Sequence, residues 1–381
     1  MDFELNEEQR LVRELVHDFA QKEIAPNAAH VDESEEYPAE NIHKMAEIGL
    51  LGLPYPEKYG GGGGDYVSYA IAVEEIARAC GSTALIYAAH VSLGCGPIYY
   101  FGTEEQKQQW LPRLCSGLEL AAFGLTEPQA GSDAGATRTT AIRDGDFYVL
   151  NGSKMWITSG AIASVVNCTA KTDPAAGSRG ISCFMVERGT LGFVPGKNEP
   201  KMGLKGSVTS ALSFENCRVP VSNLLGKEGE GFKQMLITLD AGRIGIGAMA
   251  LGLAQAALDE AVRYAKERVQ FGQPIAKFEA IKWMIADVAT EIDAARLLIY
   301  RAASMKDAGR PFTKEAAMAK LYASEAAERA AFKAIQIHGG YGYSREYPVE
   351  RIYRDQRLCS IGEGTSEIQR LVIARQVLGA L

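Results

Sequence analysis

Thr139-Thr140-Ala141-Ile142-Arg143-Asp144-Gly145-Asp146-Phe147-Tyr148-Val149-Leu150-Asn151-Gly152 is the stretch that decides the fold class. Two β-prone runs flank an Asp-Gly pair, and an Asn-Gly pair closes the second run. Both pairs suit tight turns that need positive φ. The same texture extends outward on both sides. Residues 121–125, 139–142, 147–150, 165–170, 181–186 and 210–214 are short β-prone runs, with Gly192 as a further turn signal. Short strands without intervening helices predict a small barrel or sandwich between about Leu118 and Gly226.

Upstream, to about Gly117, the pattern is helical. Asn6 with Gln9 makes a capping-box-like start. Leu11, Val12, Leu15, Val16 and Phe19 then recur at helical spacing, and Pro26 follows a helix end near Ile24. The glycine run 60–64 reads as a loop. It lacks a following Lys-Ser/Thr, so a flexible connection fits it better than a phosphate cradle.

Downstream of about Glu228, Ala, Leu, Ile and Met dominate 244–269, 277–308 and 314–337. Gly309 and Gly339 are expected as C-terminal caps and Thr313 as an N-cap. A shorter fourth helix should follow Thr365. Long antiparallel helices with short joints predict a four-helix bundle. The small residues of 245–257 allow close helix contact, either in the core or at a subunit interface. The expected fold is mainly α with a central β-domain: N-terminal helical domain 1–117, middle β-barrel 118–226, C-terminal bundle 227–381. No βαβ alternation is present, which argues against a Rossmann fold.

The chain has 381 residues, 47% of them apolar and 23% charged, with net charge −7. It is long enough to bury a large core around a cofactor. Basic residues are scattered, so no nucleic-acid face is expected. Met1-Asp2-Phe3-Glu4 lacks signal-peptide character. No uninterrupted apolar run reaches the about 20 residues needed to span a bilayer. A soluble, non-exported protein is expected. The seven cysteines form no CxxC pair and the five histidines no HxH or HExxH spacing, so buried thiols and no metal site are expected.

Four segments are polar or glycine-rich within structured regions. Leu125-Thr126-Glu127-Pro128-Gln129-Ala130-Gly131-Ser132-Asp133 leaves a predicted strand, and its Gly131-Ser132 turn suits either an anion or ring edge, or a plain decorated turn. In Asn151-Gly152-Ser153-Lys154-Met155-Trp156-Ile157-Thr158-Ser159-Gly160, Trp156 with Thr158 suits a flavin neighbour or an ordinary core position. Arg268-Val269-Gln270-Phe271-Gly272-Gln273-Pro274 joins two long helices and offers a guanidinium to a phosphate, or simple surface charge. In Ser360-Ile361-Gly362-Glu363-Gly364-Thr365-Ser366-Glu367-Ile368-Gln369-Arg370, Glu363 lies between two glycines just before a helix. It is either a carboxylate approached by a ligand or a surface turn.

These segments, in this order and spacing, resemble the acyl-CoA dehydrogenases over essentially the whole chain. The likeness is strongest to short-chain, butyryl-type members, through Leu239-Asp240-Ala241-Gly242-Arg243-Ile244-Gly245 and the run from Glu363 to Arg370. The resemblance implies an α-helical domain, a β-barrel and a helical bundle around non-covalent FAD. By the motif match, Phe123, Leu125, Thr126, Gly131, Ser132, Trp156, Ile157 and Thr158 would line the flavin and its chain. Thr365 and Glu367 would also contact FAD. Arg268, Gln270, Phe271, Gln336, Gly339 and Gly340 would reach the FAD of a neighbouring subunit, which implies a homotetramer built as a dimer of dimers. Ser132, Asp240, Arg243, Gly362 and Gly364 would meet the acyl-CoA.

Glu363 matches the family's catalytic base. In some branches the base stands instead at the position of Gly242, and glycine cannot do that work. One departure is Gly362, where the common short- and medium-chain pattern has Tyr. Loss of that ring widens the pocket near the α and β carbons and admits branched or cyclic acyl groups. The implied reaction removes the α-proton to Glu363 and the β-hydrogen as hydride to the flavin, giving a trans-2-enoyl-CoA. The Glu363 N–H and a flavin hydroxyl hold the carbonyl, and a dry site raises the Glu363 pKa. Electrons pass to an electron-transfer flavoprotein. The implied setting is fatty-acid β-oxidation, in a bacterial cytoplasm or, for a processed eukaryotic chain, the mitochondrial matrix. Alternatives are a flavin-dependent oxidase or monooxygenase on the same scaffold, or a non-catalytic helical assembly or binding protein.

Overall fold

Asn6 opens the first helix as its spacing to Gln9 demands. The Gln9 N–H donates to the Asn6 side chain at 2.8 Å and the Asn6 N–H donates to the Gln9 side chain at 3.1 Å, so two orphan donors are satisfied together. The computed structural model describes residues 4–379; Met1 to Phe3, three of the four residues read above for signal-peptide character, lie outside the described residues. Helix α1 (Glu7–Phe19) continues through a π-helical turn to Ile24. It is followed by α2 (Ala28–Ser34), α3 (Ala39–Glu47), α4 (Tyr66–Ala79), α5 (Gly81–Ala88), α6 (Gly96–Phe101) and α7 (Glu104–Cys115). Residues 60–64 are the expected loop.

The middle of the chain holds β1 (Ala121–Gly124), β2 (Thr140–Asp144), β3 (Phe147–Thr158), β4 (Val165–Lys171), β5 (Ile181–Glu187), β6 (Phe193–Asn198), β7 (Thr209–Pro220) and β8 (Leu224–Leu225). The order is β6-β7-β3-β2-β4-β5-β8, with β1 also paired to β4. Only the Thr140–Lys171 pair joins β2 to β4, so the sheet bends there and its two halves fold over one core. Tyr148 meets Phe184 edge-on at 4.9 Å and Phe193 stacks on Phe214 at 5.3 Å within it.

The Asp144-Gly145 turn forms as expected, but the Asn151-Gly152 turn does not. Strand β3 runs straight through it, and its register with β7 shifts between Leu150 and Gly152. A long partner strand converts the turn dipeptide into a bulge. Gly152 is required there, since a Cβ would stand 2.5 Å from Thr139 Oγ1.

The last zone comprises α8 (Gly231–Glu267), the hairpin β9 (Val269–Gln270) and β10 (Gln273–Pro274), α9 (Glu279–Asp307), α10 (Thr313–His338), α11 (Val349–Gln356) and α12 (Ser366–Leu378). Helix α8 starts well before Ile244, and Val269 belongs to the hairpin. Thr313 is not an N-cap. Phe312 holds that position without a side-chain bond, and the Thr313 hydroxyl donates to Asp240 at 2.6 Å instead. Helix α8 is long and apolar enough to cross a bilayer, but 78% of its apolar window is buried inside the molecule. Its small residues face the core rather than a partner: a Cβ at Gly252 would lie 2.2 Å from the Glu74 carbonyl oxygen on α4. The N-terminal and C-terminal helices thereby share one core. All seven cysteines are free and buried.

Candidate active site

Glu363 stands between the last two helices, at the point where α8, α10 and α12 converge. Its backbone is left-handed, with φ +54°, and Gly364 follows at φ +96°. Such a conformation costs a non-glycine residue about 1–3 kcal/mol and concentrates at functional sites. Thr365 then caps α12 by accepting the Ile368 N–H at 3.3 Å. Gly364 is favoured by its backbone, since φ +96° is a conformation that residues with a Cβ rarely adopt.

This turn drives the Glu363 side chain inward onto α8. A Cβ at Gly242 would lie 2.1 Å from Glu363 Oε2 and 2.8 Å from Leu93 Cδ2. Oε2 is shut off from solvent and has no hydrogen-bond partner among the described residues. Burial pushes the Glu363 carboxyl up to about 7, against the pull of the Lys320 and Arg243 cations. The Glu363 backbone N–H finds no acceptor among the described residues. A carboxylate ready to accept a proton and a free N–H therefore belong to one residue. Arg243 is buried and paired to Asp240 at 2.6 Å, and its charge acts on Glu363.

Leu93 belongs to a π-helical stretch, Ala89–Cys95. Widened turns of this kind are rare and recur at functional sites. The next residue, Gly94, accepts from Asn167 of β4 at 2.7 Å, and a Cβ on it would lie 2.6 Å from the Ala121 carbonyl oxygen. One widened turn thus joins Glu363 to the start of β1. Neither residue was singled out by motif, because a π-turn leaves no residue signature.

At the other end of β1, Leu125 is buried, Phe123 and Thr126 are half-buried, and Gly131 and Ser132 lie in an exposed turn. The Met155 N–H donates to the Thr126 carbonyl at 2.9 Å, which brings the first two motifs together. A second bulge in β3, between Lys154 and Ile157, puts Trp156 at φ +62° and turns its indole out of both cores, 57% exposed. Ile157 points into the β core, so only its backbone is available; Thr158 is half-buried. Beneath this surface lies an ion pair that motif reading passed over. Lys154 is fully buried and donates to Glu127 at 2.8 Å. Burial opposes ionisation of Glu127, but the Lys154 charge and the donors of Thr137 and Thr139 hold its carboxyl at about 2.

The third motif is a tight hairpin, with Phe271 at φ +51° and Gly272 at φ +78°. Phe271 is 92% exposed. The Arg268 guanidinium lies 5.5 Å from the Tyr341 ring centre, which gathers Arg268, Gln270 and Phe271 near exposed Gln336, Gly339 and Gly340. Among the described residues no hydrogen bond, ion pair or ring contact joins this cluster to Trp156 or Glu363.

Family profiles for the acyl-CoA dehydrogenase N-terminal, middle and C-terminal domains match residues 6–118, 122–217 and 229–378. The chain belongs to the acyl-CoA dehydrogenase family. It is 59% identical to the probable acyl-CoA dehydrogenase YngJ of Bacillus subtilis, over 99% of this chain and 100% of that one. It is 50% identical to the short-chain specific acyl-CoA dehydrogenase of Clostridium acetobutylicum, with the same coverage. Butyryl-CoA dehydrogenase from Megasphaera elsdenii superposes with TM-score 0.97 at 47% identity, covering 99% of this chain and 100% of that one. A chain in a structure described as the electron transferring flavoprotein of Acidaminococcus fermentans superposes with TM-score 0.99 at 49% identity, each chain fully covered. An acyl-CoA dehydrogenase of Bacillus anthracis complexed with FAD superposes with TM-score 0.93 at 37% identity, covering 98% of this chain and 67% of that one.

As an acyl-CoA dehydrogenase, the chain is an oxidoreductase acting on CH–CH groups, and FAD is its cofactor. Its own surface fits that group. The exposed Trp156 indole is a flat apolar face. Gly131 has nothing within 4 Å of where a Cβ would be, leaving backbone approach open to a phosphate chain. The N-terminus of α12 adds positive character suited to phosphate, and the Arg268 guanidinium offers the same on the separate hairpin cluster.

Proposed function

We propose that this enzyme dehydrogenates a short, branched or cyclic acyl-CoA at its α and β carbons, with Glu363 as the base. The observation that carries this reading is the Glu363 carboxyl itself, held on strained backbone, without a partner at Oε2, and raised to about 7. A base poised near neutral pH is matched to proton abstraction there. The α-hydrogen of a thioester is too weak an acid for a carboxylate alone, so the developing oxyanion needs fixed donors in a dry site. The unpaired Glu363 N–H is one such donor. The α-proton passes to Oε2 of Glu363 while the β-hydrogen leaves as hydride, so the product is the trans-2-enoyl thioester. FAD, when bound, supplies the hydride acceptor.

Phe123, Leu125, Thr126, Gly131, Ser132, Trp156, Ile157 and Thr158 would hold the flavin of their own subunit, with Thr365 and Glu367 at the start of α12. The cluster of Arg268, Gln270, Phe271, Gln336, Gly339 and Gly340 makes no direct contact with Trp156 or Glu363 among the described residues, which supports its reaching a neighbouring subunit's FAD. Exposed Trp283, Leu297, Phe332 and Leu371 on α9, α10 and α12 support self-association of the bundle, and we take the assembly as a homotetramer. Substrate contacts fall to Ser132, Asp240, Arg243, Gly362 and Gly364. The short-chain relative and the butyryl-CoA dehydrogenase likeness support a small acyl group. The likeness to a chain from an electron transferring flavoprotein structure supports such a flavoprotein as electron acceptor. The bacterial relatives support a cytoplasmic setting.

Glu363→Gln tests the base. It should retain FAD and bind butyryl-CoA, yet bleach its flavin roughly 100- to 10,000-fold more slowly, as for loss of a general base. Bleaching near the wild-type rate would place the base elsewhere.

A further inference from the structure

Lys320 sits in the middle of α10, fully buried. Lysine is almost never fully buried unless paired. Its one hydrogen bond among the described residues goes to the Gly364 carbonyl, at 2.7 Å. No carboxylate lies within ion-pair distance of its ammonium among the described residues, whereas the other cation beside Glu363, Arg243, is matched by Asp240 at 2.6 Å. The Lys320 charge is therefore the uncompensated one at the base. We infer that Lys320 is a positioning residue for the reaction: its ammonium pins the Gly364-Thr365 peptide, immediately after Glu363, and keeps the Glu363 carboxylate ionised in the working pH range. The inference rests on Glu363 being the base.

The surroundings of Glu363 support this division of roles. From α8 it faces Arg243 with its partner Asp240, and from α4 the buried phenols of Tyr66 and Tyr69. Cys359 lies on the approach to the turn, and Glu367 on α12 acts on Lys320. Burial raises the phenols and the thiol, so they stay neutral. Burial also lowers the Lys320 ammonium, to about 8, which still leaves it mostly protonated where Glu363 titrates. The Lys320 charge pulls the Glu363 carboxyl down more strongly than Arg243 does, and removal of a nearby opposite charge raises a carboxyl by about 1 pH unit or more.

The test compares Lys320→Met and Lys320→Gln holoenzymes with wild type. Gln369 also donates to the Gly364 carbonyl, at 2.9 Å, so Met leaves no orphan acceptor; Gln restores a donor without charge. The readouts are FAD content, thermal unfolding, and solvent exchange of the α-protons of a thioester with sulfur in place of its β-carbon, followed against pH. That thioester loses no hydride, so exchange reports the base alone. Both variants should keep FAD, and the acid limb of exchange should move up by about 1 pH unit, a roughly tenfold loss below pH 7 that is recovered at alkaline pH. An unmoved limb in either variant, or failure of both to fold with FAD, overturns the inference and leaves Lys320 a structural role. Glu363→Gln in the same assay separates the two claims: if it exchanges like wild type, the base reading itself fails.

Discussion

The Glu363 carboxyl occupies the volume that a side chain at Gly242 would fill, with Oε2 only 2.1 Å from that ideal Cβ. Position 242 lies on α8 and position 363 in the turn before α12, yet they share one volume. Glycine at 242 is thus the steric condition for a base at 363. Gly242→Ala should displace the carboxyl and slow flavin reduction by butyryl-CoA about 100-fold, the scale of a 1 Å misplacement, with FAD content unchanged. Moving the carboxylate across, in Glu363→Gly with Gly242→Glu, should restore part of the rate. Stopped-flow bleaching checks both, and an unimpaired Gly242→Ala enzyme would contradict this geometry.

The Lys154–Glu127 pair predicts a stability effect away from the base. Lys154→Met strands a buried carboxylate and should destabilise the holoenzyme by about 3–5 kcal/mol. Adding Glu127→Gln removes that charge and should recover part of the loss. Because Glu127 is depressed from 4.5 to about 2, its contribution is present above pH 4.5 and is lost as the pH falls toward 2. Denaturant unfolding of the single and double variants decides this. Equal stabilities would mean the pair contributes nothing.

The fold was legible where local chemistry and tertiary context agreed. The Asn6–Gln9 box, the Asp144-Gly145 turn and the Thr365 cap are each closed by their own side chains or backbone. Asn151-Gly152 was misread because a long neighbouring strand outweighed the local preference for a turn. Thr313 lost its cap role to a better partner, the Asp240 carboxylate. Glu363 was legible through the family motif, and of its two flanking glycines only Gly364, at φ +96°, reflects a backbone need. Lys320 was not, since an alanine-rich helix shows a lysine in the same way whether it faces water or a carbonyl 44 positions later in the chain.

Asp355 gives a pH prediction. It is buried, accepts the Leu204 N–H at 2.6 Å, and is raised by burial from 3.8 to about 6. The folded state therefore holds this proton more tightly than the unfolded chain. Its stabilising contribution is full below pH 3.8 and is lost as the pH rises through 6. Asp355→Asn can keep the Leu204 bond through its amide oxygen but cannot ionise. Relative to wild type, its unfolding free energy should therefore gain about 2–3 kcal/mol between pH 4 and pH 7. Parallel pH profiles for the two proteins would contradict an acid held neutral in the core.

Gly362 carries the substrate prediction. Its φ is not in the left-handed region, and a Cβ would meet only Leu358, at 3.5 Å from Cγ, an ordinary contact. The backbone thus does not demand glycine here, unlike at Gly364. What glycine leaves is space directly before Glu363, where the proposed reaction puts the α and β carbons. A ring at 362 should fill that space without moving Glu363. Gly362→Tyr should lower kcat/KM for isobutyryl-CoA or 2-methylbutyryl-CoA by about tenfold or more, the usual effect of excluding a methyl group from an apolar pocket. Butyryl-CoA, with no branch to exclude, should lose much less. An equal loss for straight and branched substrates would show that the ring disturbs the base instead, and the wider pocket would no longer account for glycine at this position.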